Sequence, residues 1–361
     1  ELEGKREEIL KKAKKPIAIL GGGVRYSEAG DALAAFCEAA DIPFAETQAG
    51  KGQIPWDCPL NLGGIGVTGG AAANVIAQQA DLIIAVGTRL TDFTTCSKWG
   101  FKNPDAKIVS INVSSFDAFK MDAVSVIADA KMALLDLSAA LSQKYYRSGW
   151  GDELAEAKKA YVEEMDNCYN QELSDGSLSQ MRALGEINKR IAPDAIALGS
   201  SGSLPGDMQR LWRSTLPKTY HMEYGFSNMG YETNGALGVK LAAPEQEVYT
   251  FFGDGTYMMA HSELLTCVQE GLRAHFCLFD NSGWGCIENL QNNQGGDTFG
   301  TVFRYRNPAT GELDGPILPI DFAKNAEAYG LKAYTIRTVE ELRAALADAL
   351  TQPRPVLYDI K

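Results

Sequence analysis

The residues best suited to chemistry are an aspartate and an asparagine, each placed just after a predicted strand. The apolar run 248–252 leads into the Gly-Asp-Gly sequence at 253–255, and the run 276–279 is followed closely by Asn281. Because the carboxyl ends of parallel strands meet at one edge of a sheet, the Asp254 and Asn281 side chains are expected to lie close together. Such an edge is where an open α/β sheet binds its ligand.

The chemistry that these residues suggest is binding of a divalent metal. The Asp254 carboxylate, the Asn281 amide oxygen and the Gly283 carbonyl are hard oxygen ligands, which suit a Mg²⁺ ion that also contacts substrate phosphates. A helix is expected over about 257–270, so that free N–H groups at Thr256 would face an anion. A plainer interpretation makes Gly-Asp-Gly a turn with Asp254 as the helix N-cap. The spacing to Asn281 favours a diphosphate held through the metal.

These residues require a parallel sheet to position them, and the chain has the pattern of two. Buried apolar runs alternate with helical stretches, which is typical of doubly wound α/β domains. The predicted strands are 16–20, 42–46, 82–87, 107–113 and 125–128 in the first half, and 195–198, 219–223, 247–252, 275–280, 332–336 and 355–360 in the second. The predicted helices before the metal motif are 27–40, 71–79, 132–143 and 178–190. We therefore predict a Rossmann-like domain over 1–150, a charged helical linker over 151–177 and a second domain over 178–361.

Composition and charge narrow the class of protein. The chain has 361 residues, 45% of them apolar, and a formal net charge of −12 without a basic stripe, which argues against a nucleic-acid partner and favours a small-molecule substrate. No apolar run approaches the roughly 20 residues of a membrane span. The seven cysteines include no C-x-x-C pair, which fits a reducing cytoplasm. Residues 1–6 lack both an initiator Met and a signal sequence and look helical, so we expect the chain to begin partway through a longer protein.

Two glycine motifs in the first domain invite a nucleotide-binding interpretation. The glycines at 21–23 follow a strand, but Tyr26 stands where a dinucleotide fingerprint needs its third Gly, which favours a plain turn. The Gly-Lys-Gly sequence at 50–52 lacks both the first Gly of a phosphate loop, replaced by Ala45, and the Ser or Thr after its Lys. Neither motif predicts a bound nucleotide.

The Gly-Asp-Gly sequence with its downstream Asn resembles the signature of thiamine-diphosphate enzymes. Segments 202–204, 227–230 and 262–264 are similar to that superfamily's diphosphate loop, cofactor-propping segment and Q-E-L motif, with Ser262 in place of Gln. The resemblance implies a cofactor site made of Gly202, Ser203, Leu204, Ser227, Met229, Gly253, Gly255, Thr256 and Asn281. It implies a Mg²⁺ site made of Asp254, Asn281 and Gly283. The first domain resembles the central domain that binds FAD in acetolactate synthases, and here we expect no catalytic flavin.

Within this superfamily the chain is most similar to the trihydroxycyclohexane-dione hydrolase family of inositol catabolism, over nearly all of its length. Segments 204–207, 279–291, 299–307, 319–323 and 327–330 carry the likeness. It implies that a polyhydroxylated cyclic 1,2-dione is opened by hydrolysis to 5-deoxy-glucuronate, and that the enzyme is a cytoplasmic homo-oligomer, a dimer or tetramer. Arg304, Arg306 and Glu288 are candidate substrate contacts. A solvated loop would explain the two arginines equally well, and a surface carboxylate is the favoured interpretation of Glu288.

The family's activating glutamate lies on a pyrimidine-binding domain that precedes the central one, and no segment of these 361 residues resembles that domain. We therefore assign no catalytic residue, place the activating glutamate outside this sequence and expect the 361 residues alone to be inactive. Two alternatives stay open. One is an acetolactate-synthase-like carboligase or 2-oxo acid decarboxylase, and the other is a non-catalytic cofactor-binding fragment.

Overall fold

The computed structural model describes residues 8–142 and 145–361. The helix expected at the N-terminus falls in part on residues 1–7, outside the described residues, and residues 8–12 are helical. The last residue of the predicted helix 132–143 also lies outside them. The chain divides into two compact units. The first consists of the residues up to Asn167 together with Gln209–Lys218, and the second consists of Cys168–Met208 and Thr219–Lys361. The predicted domain bounds stay a prediction.

The first unit is built on a sheet of six parallel strands in the order β3-β2-β1-β4-β5-β6. The strands are β1 (Pro16–Leu20), β2 (Phe44–Glu46), β3 (Asn61–Gly64), β4 (Leu82–Val86), β5 (Lys107–Asn112) and β6 (Val124–Ile127). This strand order is that of the doubly wound dinucleotide-binding fold. Every residue of the central strands β1 and β4 is buried, because helices cover both faces of the sheet.

The glycines that follow β1 allow a close approach of two backbones. A Cβ added at Gly21 would lie 2.5 Å from the Gly87 carbonyl oxygen, and one at Gly23 would lie 2.6 Å from the Gly87 Cα. Gly87 itself, which follows β4, has a φ of +60°. The turn at 21–23 is thus glycine-rich because it packs against the neighbouring turn, as the plainer interpretation of this motif expects.

The second unit is built on another sheet of six parallel strands, in the order β11-β12-β10-β9-β7-β8. The strands are β7 (Ile196–Gly199), β8 (Tyr220–Met222), β9 (Val248–Gly253), β10 (His275–Phe279), β11 (Lys332–Ile336) and β12 (Val356–Ile360). Strands β8 and β9 lie on opposite sides of β7, so the order in which the strands are added reverses there. Such a topological switch point opens a crevice at the carboxyl ends of the strands. The predicted class, two doubly wound α/β domains, is confirmed.

The helices lie between the strands along the chain and flank the two sheets. In chain order they are Gly22–Tyr26, Gly30–Ala40, Ala71–Gln79, Asp92–Thr95, Ser115–Ala118, Ala130–Ser142, Asp152–Tyr169, Gln180–Asn188, Leu204–Leu211, Tyr231–Ala242, Asp254–Ala260, Glu263–Gln269, Gly285–Asn293, Phe322–Ala328 and Val339–Ala349. A 3₁₀ turn lies at Lys120–Asp122. None of the described helices has the length and apolar character needed to cross a bilayer.

Three sequence expectations about elements are wrong in detail. The helix expected over 257–270 begins at Asp254 and breaks after Ala260, where His261 and Ser262 precede a second helix. The helix expected over 27–40 begins only at Gly30, because Glu28 has a φ of +49°, and a separate short helix, Gly22–Tyr26, precedes it. Strand β3 escaped prediction because two of its four residues are glycine, which has low strand propensity.

Candidate functional site

A cavity of about 240 Å³ opens at the carboxyl edge of the second sheet, where the chain leaves β7, β9 and β10. The strand register places Gly253 beside Phe279 and Gly199 beside Phe251, so the loops after the three strands converge. All nine residues predicted to bind the cofactor line this cavity, as does Gly283 of the predicted metal set: Gly202, Ser203, Leu204, Ser227, Met229, Gly253, Gly255, Thr256, Asn281 and Gly283.

Asp254 lies beneath this cavity and joins two of its loops. The side chain is fully buried. Its Oδ1 accepts a hydrogen bond from the Gly255 amide at 2.9 Å, and its Oδ2 accepts one from the Gly283 amide at 2.8 Å. The helix N-cap is Gly253, without a side-chain cap, so the N-cap role considered for Asp254 is not what the structure shows. Thr256 accordingly lies inside the first turn, not at the helix N-terminus.

The surroundings of Asp254 carry an excess of negative charge. Burial and the neighbouring Asp280 carboxylate raise the pKa of Asp254 to about 7. Asp280 accepts a hydrogen bond from the Ser282 amide at 2.9 Å and pairs with Lys361, whose ammonium group also lies 3.0 Å from Asp359. Lys361 thus pairs with Asp280 and Asp359, and the Asp254 carboxylate lies beside Asp280, so an added cation would be stabilised here.

The donor set fits a magnesium ion better than a metal that needs several charged or soft ligands. Among residues 8–142 and 145–361, no three His, Cys, Asp or Glu residues form a group that would hold a metal. The available donors are one carboxylate, one amide and one carbonyl, which suit Mg²⁺ because it keeps waters and binds phosphate oxygens.

Two positions beside these donors, 255 and 285, leave no room for a side chain. A Cβ at Gly255 would lie 3.1 Å from the Gly283 oxygen, and one at Gly285 would lie 2.7 Å from Asn281 Nδ2.

The other polar wall of the cavity is the loop between β7 and the helix Leu204–Leu211. Gly202 has a φ of +84° and leaves open space where a Cβ would stand, which suits close approach of a ligand to the backbone. The Ser201 hydroxyl lies 3.1 Å from the Thr256 hydroxyl. Below them, Glu232 Oε1 accepts hydrogen bonds from the Ser201 amide at 3.0 Å and hydroxyl at 3.1 Å. Burial raises the pKa of Glu232 above its usual range.

Sequence reasoning missed seven of the residues that line the cavity: Gln180, Ser201, Phe279, Trp284, Gly285, Cys286 and Ile287. Ser201 and Trp284 adjoin a predicted residue in the chain, and Phe279, Gly285, Cys286 and Ile287 lie within four positions of one, so the motifs already pointed to this region. Gln180 is different, because the helix that it begins, Gln180–Asn188, and strand β7 separate it from the Gly202 loop along the chain. Its amide nitrogen donates to the Ser203 hydroxyl at 3.2 Å and to Asp207 Oδ2 at 2.7 Å. No local sequence signal points to this residue.

The three candidate substrate contacts do not line the cavity. Arg304 Nη1 donates to the Gly315 carbonyl at 3.1 Å, and Arg306 donates to the Gly311 carbonyl. Glu288 accepts a hydrogen bond from the Thr298 hydroxyl at 3.2 Å. Each of them therefore stabilises the 298–315 segment in this structure, and the structure does not bring them together with the predicted cofactor residues.

Comparison with known protein families matches each half of the chain. Residues 6–137 match the model described as thiamine pyrophosphate enzyme, central domain. Residues 200–360 match the model described as thiamine pyrophosphate enzyme, C-terminal TPP binding domain. The predicted metal residues, and all the residues that line the cavity except Gln180, lie within the second match.

Curated relatives align along almost the whole chain. The proteins named 3D-(3,5/4)-trihydroxycyclohexane-1,2-dione hydrolase from Clostridium tetani, Geobacillus thermodenitrificans and Bacillus cereus (strain ZK / E33L) are 50%, 52% and 51% identical to it. Each alignment covers 98% of this chain and 58% of the relative. The chain thus spans less than two thirds of the length of these relatives. With a central domain and a C-terminal TPP-binding domain, the chain belongs to the thiamine pyrophosphate enzymes.

Proposed function

We propose that this protein is a thiamine-diphosphate-dependent hydrolase that cleaves a C–C bond of a polyhydroxylated cyclic 1,2-dione. The observation that carries the proposal is the identity of 50–52% to relatives named for that substrate, along 98% of the chain. The cavity in the TPP-binding domain supports it, because the residues predicted to bind the cofactor lie together there. Cleavage between the two carbonyls with addition of one water gives an open-chain acid that carries an aldehyde.

In this proposal the chain's own residues bind and orient the cofactor and its metal ion. Asp254, Asn281 and the Gly283 carbonyl would hold Mg²⁺, and the Gly202 loop with Thr256 would surround the diphosphate. The apolar side chains of Met229 and Leu204 would face the rings. When bound, thiamine diphosphate supplies a carbanion that adds to a carbonyl and then stores the electron pair left by bond cleavage.

The proposal extends to the conditions under which the protein works. All seven cysteines are free thiols, which supports a reducing compartment such as the cytoplasm. We propose a homo-oligomer, a dimer or tetramer, as the resemblance to enzymes with active sites between subunits implies. No assignment of Arg304, Arg306 or Glu288 to the substrate is included, since their hydrogen bonds lie outside the cavity.

The test is a comparison of two substrates on the natural protein, supplied with thiamine diphosphate and Mg²⁺. We expect the cyclic trihydroxy-dione to disappear with formation of one equivalent of acid, and pyruvate to be left unchanged. The Asp254→Asn variant serves as the matched inactive control. Release of CO₂ from pyruvate, with the dione left intact, would contradict the proposal and favour a carboligase or decarboxylase.

A further inference from the structure

Glu223 follows β8 and anchors the loop 223–230, which carries Met229 to the cavity. Its Oε1 accepts a hydrogen bond from the Phe226 amide at 3.1 Å. Its Oε2 accepts one from the Asn228 amide at 2.9 Å and lies 3.2 Å from the Ser200 hydroxyl. One carboxylate therefore binds two backbone amides of the same short loop.

The same loop is tied to the end of β7 by two serines. The Ser227 hydroxyl donates to the Ser200 carbonyl at 3.0 Å. The Ser200 hydroxyl, which has one proton to give, lies 2.9 Å from the Asn228 carbonyl. Ser200 is fully buried and lies two residues before Gly202 of the predicted diphosphate loop. The loop and the diphosphate wall are thus joined at one residue.

The loop conformation needs this support. Ser227 has a φ of +56°, a left-handed conformation that is unfavourable for a residue other than glycine and persists only where its surroundings impose it. The largest apolar side chain of the loop, Phe226, is 88% exposed and contributes little packing. Hydrogen bonds to Glu223 and Ser200 therefore support the loop in this conformation.

Glu223 is well suited to this task as an ionised group. Burial alone would raise the pKa of Glu223, but hydrogen bonds from the Asn228 and Phe226 amides and the Ser200 hydroxyl outweigh burial and hold it below its usual range. Hydrogen bonds to a charged acceptor are stronger than those between neutral groups. The loop is thus held by a carboxylate that is charged at neutral pH.

The cavity that receives the loop has a polar part and an apolar part. Ser203, Thr256 and Asn281 line the one, and Leu204, Met229 and Ile287 contribute to the other. A ligand with a charged diphosphate and aromatic rings would place its rings against the apolar part. Displacement of Met229 would then weaken binding of the rings and leave binding of the diphosphate unaffected.

We propose that Glu223 is a positioning residue that sets where Met229 stands in the cavity and thereby controls binding of the ring portion of thiamine diphosphate. The proposal rests on the proposed function, since it takes the ligand of this cavity to be that cofactor. Glu223 touches the loop backbone and acts on the ligand through Met229.

The experiment uses calorimetry to measure the affinity of the natural protein for two ligands, thiamine diphosphate and inorganic diphosphate, each in the presence of Mg²⁺. For Glu223→Ala we expect thiamine diphosphate to bind about tenfold or more weakly, since two charge-assisted hydrogen bonds of the loop are lost. Inorganic diphosphate should bind within about twofold of the unsubstituted protein, because its contacts are retained. The exposed Glu270→Gln is the control and should change neither affinity.

A double-mutant cycle with Met229→Ala tests whether Glu223 acts through Met229. The two losses of thiamine-diphosphate affinity should be strongly non-additive, since either substitution removes the same contact. Additive losses, or equal weakening of both ligands by Glu223→Ala, would overturn the proposal. If Glu223→Ala does not fold, Glu223→Asp, which shortens the side chain by one carbon, must show the same ligand selectivity. Failure of the unsubstituted protein to bind thiamine diphosphate would instead contradict the proposed function.

Discussion

The Gly283 amide donates a hydrogen bond to Asp254 Oδ2 at 2.8 Å, and this contact joins the loop after β10 to the first residue of the helix after β9. The two residues are 29 positions apart in the chain. The contact brings the backbone of one predicted metal ligand to the side chain of another. A hydrogen bond that holds the two together reduces the conformational entropy that the site loses when its ligand binds.

Asp254→Asn should abolish Mg²⁺-dependent cofactor binding and leave the fold intact. The substitution removes the only carboxylate of the predicted metal set, and we expect the affinity for thiamine diphosphate with Mg²⁺ to fall by about 100-fold or more. Asn turns one of the two accepting oxygens into a donor that faces a backbone amide, which costs about 1–3 kcal/mol, and loss of the buried charge beside Asp280 offsets part of this cost, so the metal-free variant should still fold. Calorimetry and chemical denaturation check the two expectations, with the exposed Asp297→Asn as control. Unchanged Mg²⁺-dependent affinity would show the metal assignment to be wrong.

Gly255→Ala should destabilise the protein and distort the metal loop. The added Cβ would lie 2.7 Å from the Trp284 ring and 3.1 Å from the Gly283 oxygen, and such overpacking costs about 1–3 kcal/mol. Gly238→Ala is a matched control in the helix Tyr231–Ala242, where nothing lies within 4 Å of the added Cβ. The control should gain about 0.5–1 kcal/mol from the better helix former. Denaturant titrations of both variants check this, and equal effects would contradict it.

Glu232→Gln should change how stability depends on pH. Burial raises the pKa of Glu232 in the folded protein, whereas in the unfolded chain it is about 4.3. Above that value the folded state holds a proton that the unfolded state releases, so this group lowers the unfolding free energy as pH rises towards the folded pKa. The Gln variant cannot titrate.

The unfolding free energy of the Glu232→Gln variant minus that of the unsubstituted protein should therefore increase as the pH rises from about 4.3 towards the folded pKa. Urea denaturation across this pH range measures the difference, and Glu270→Gln provides the exposed control. Parallel pH profiles for the Glu232→Gln variant and the unsubstituted protein would show that the carboxyl titrates normally.

The purified natural protein should be colourless. Gly21 and Gly23 pack directly against Gly87, so the glycine-rich turn is explained by protein contacts, and Tyr26 departs from the dinucleotide fingerprint. We therefore expect no flavin absorbance after gel filtration. A stoichiometric flavin retained through that step would contradict the prediction and favour an acetolactate-synthase-like enzyme.

The sequence by itself determined the two-domain α/β class and most of the residues around the cavity. Buried apolar runs such as Leu82–Val86 identify central parallel strands, and polar residues just after such runs must collect at one sheet edge. That geometric rule is why Asp254 and Asn281 were predicted together, whereas the Gly202 loop was predicted from the resemblance to thiamine-diphosphate enzymes. The spacing of Asp254 and Asn281 along the chain carries the information, because β9 and β10 are consecutive strands that lie side by side.

Only the tertiary structure decided which other side chains support the site. Gln180 bonds to Ser203 and Glu223 bonds to Ser200, each across 23 positions of the chain, and no periodicity marks them. Arg304 alternates with Arg306 as a substrate-binding strand would, yet it bonds to a carbonyl of its own segment. Local patterns specify where a strand ends. Which polar group a side chain finds there depends on packing in three dimensions, since a hydrogen bond is made with whatever partner the fold brings within reach.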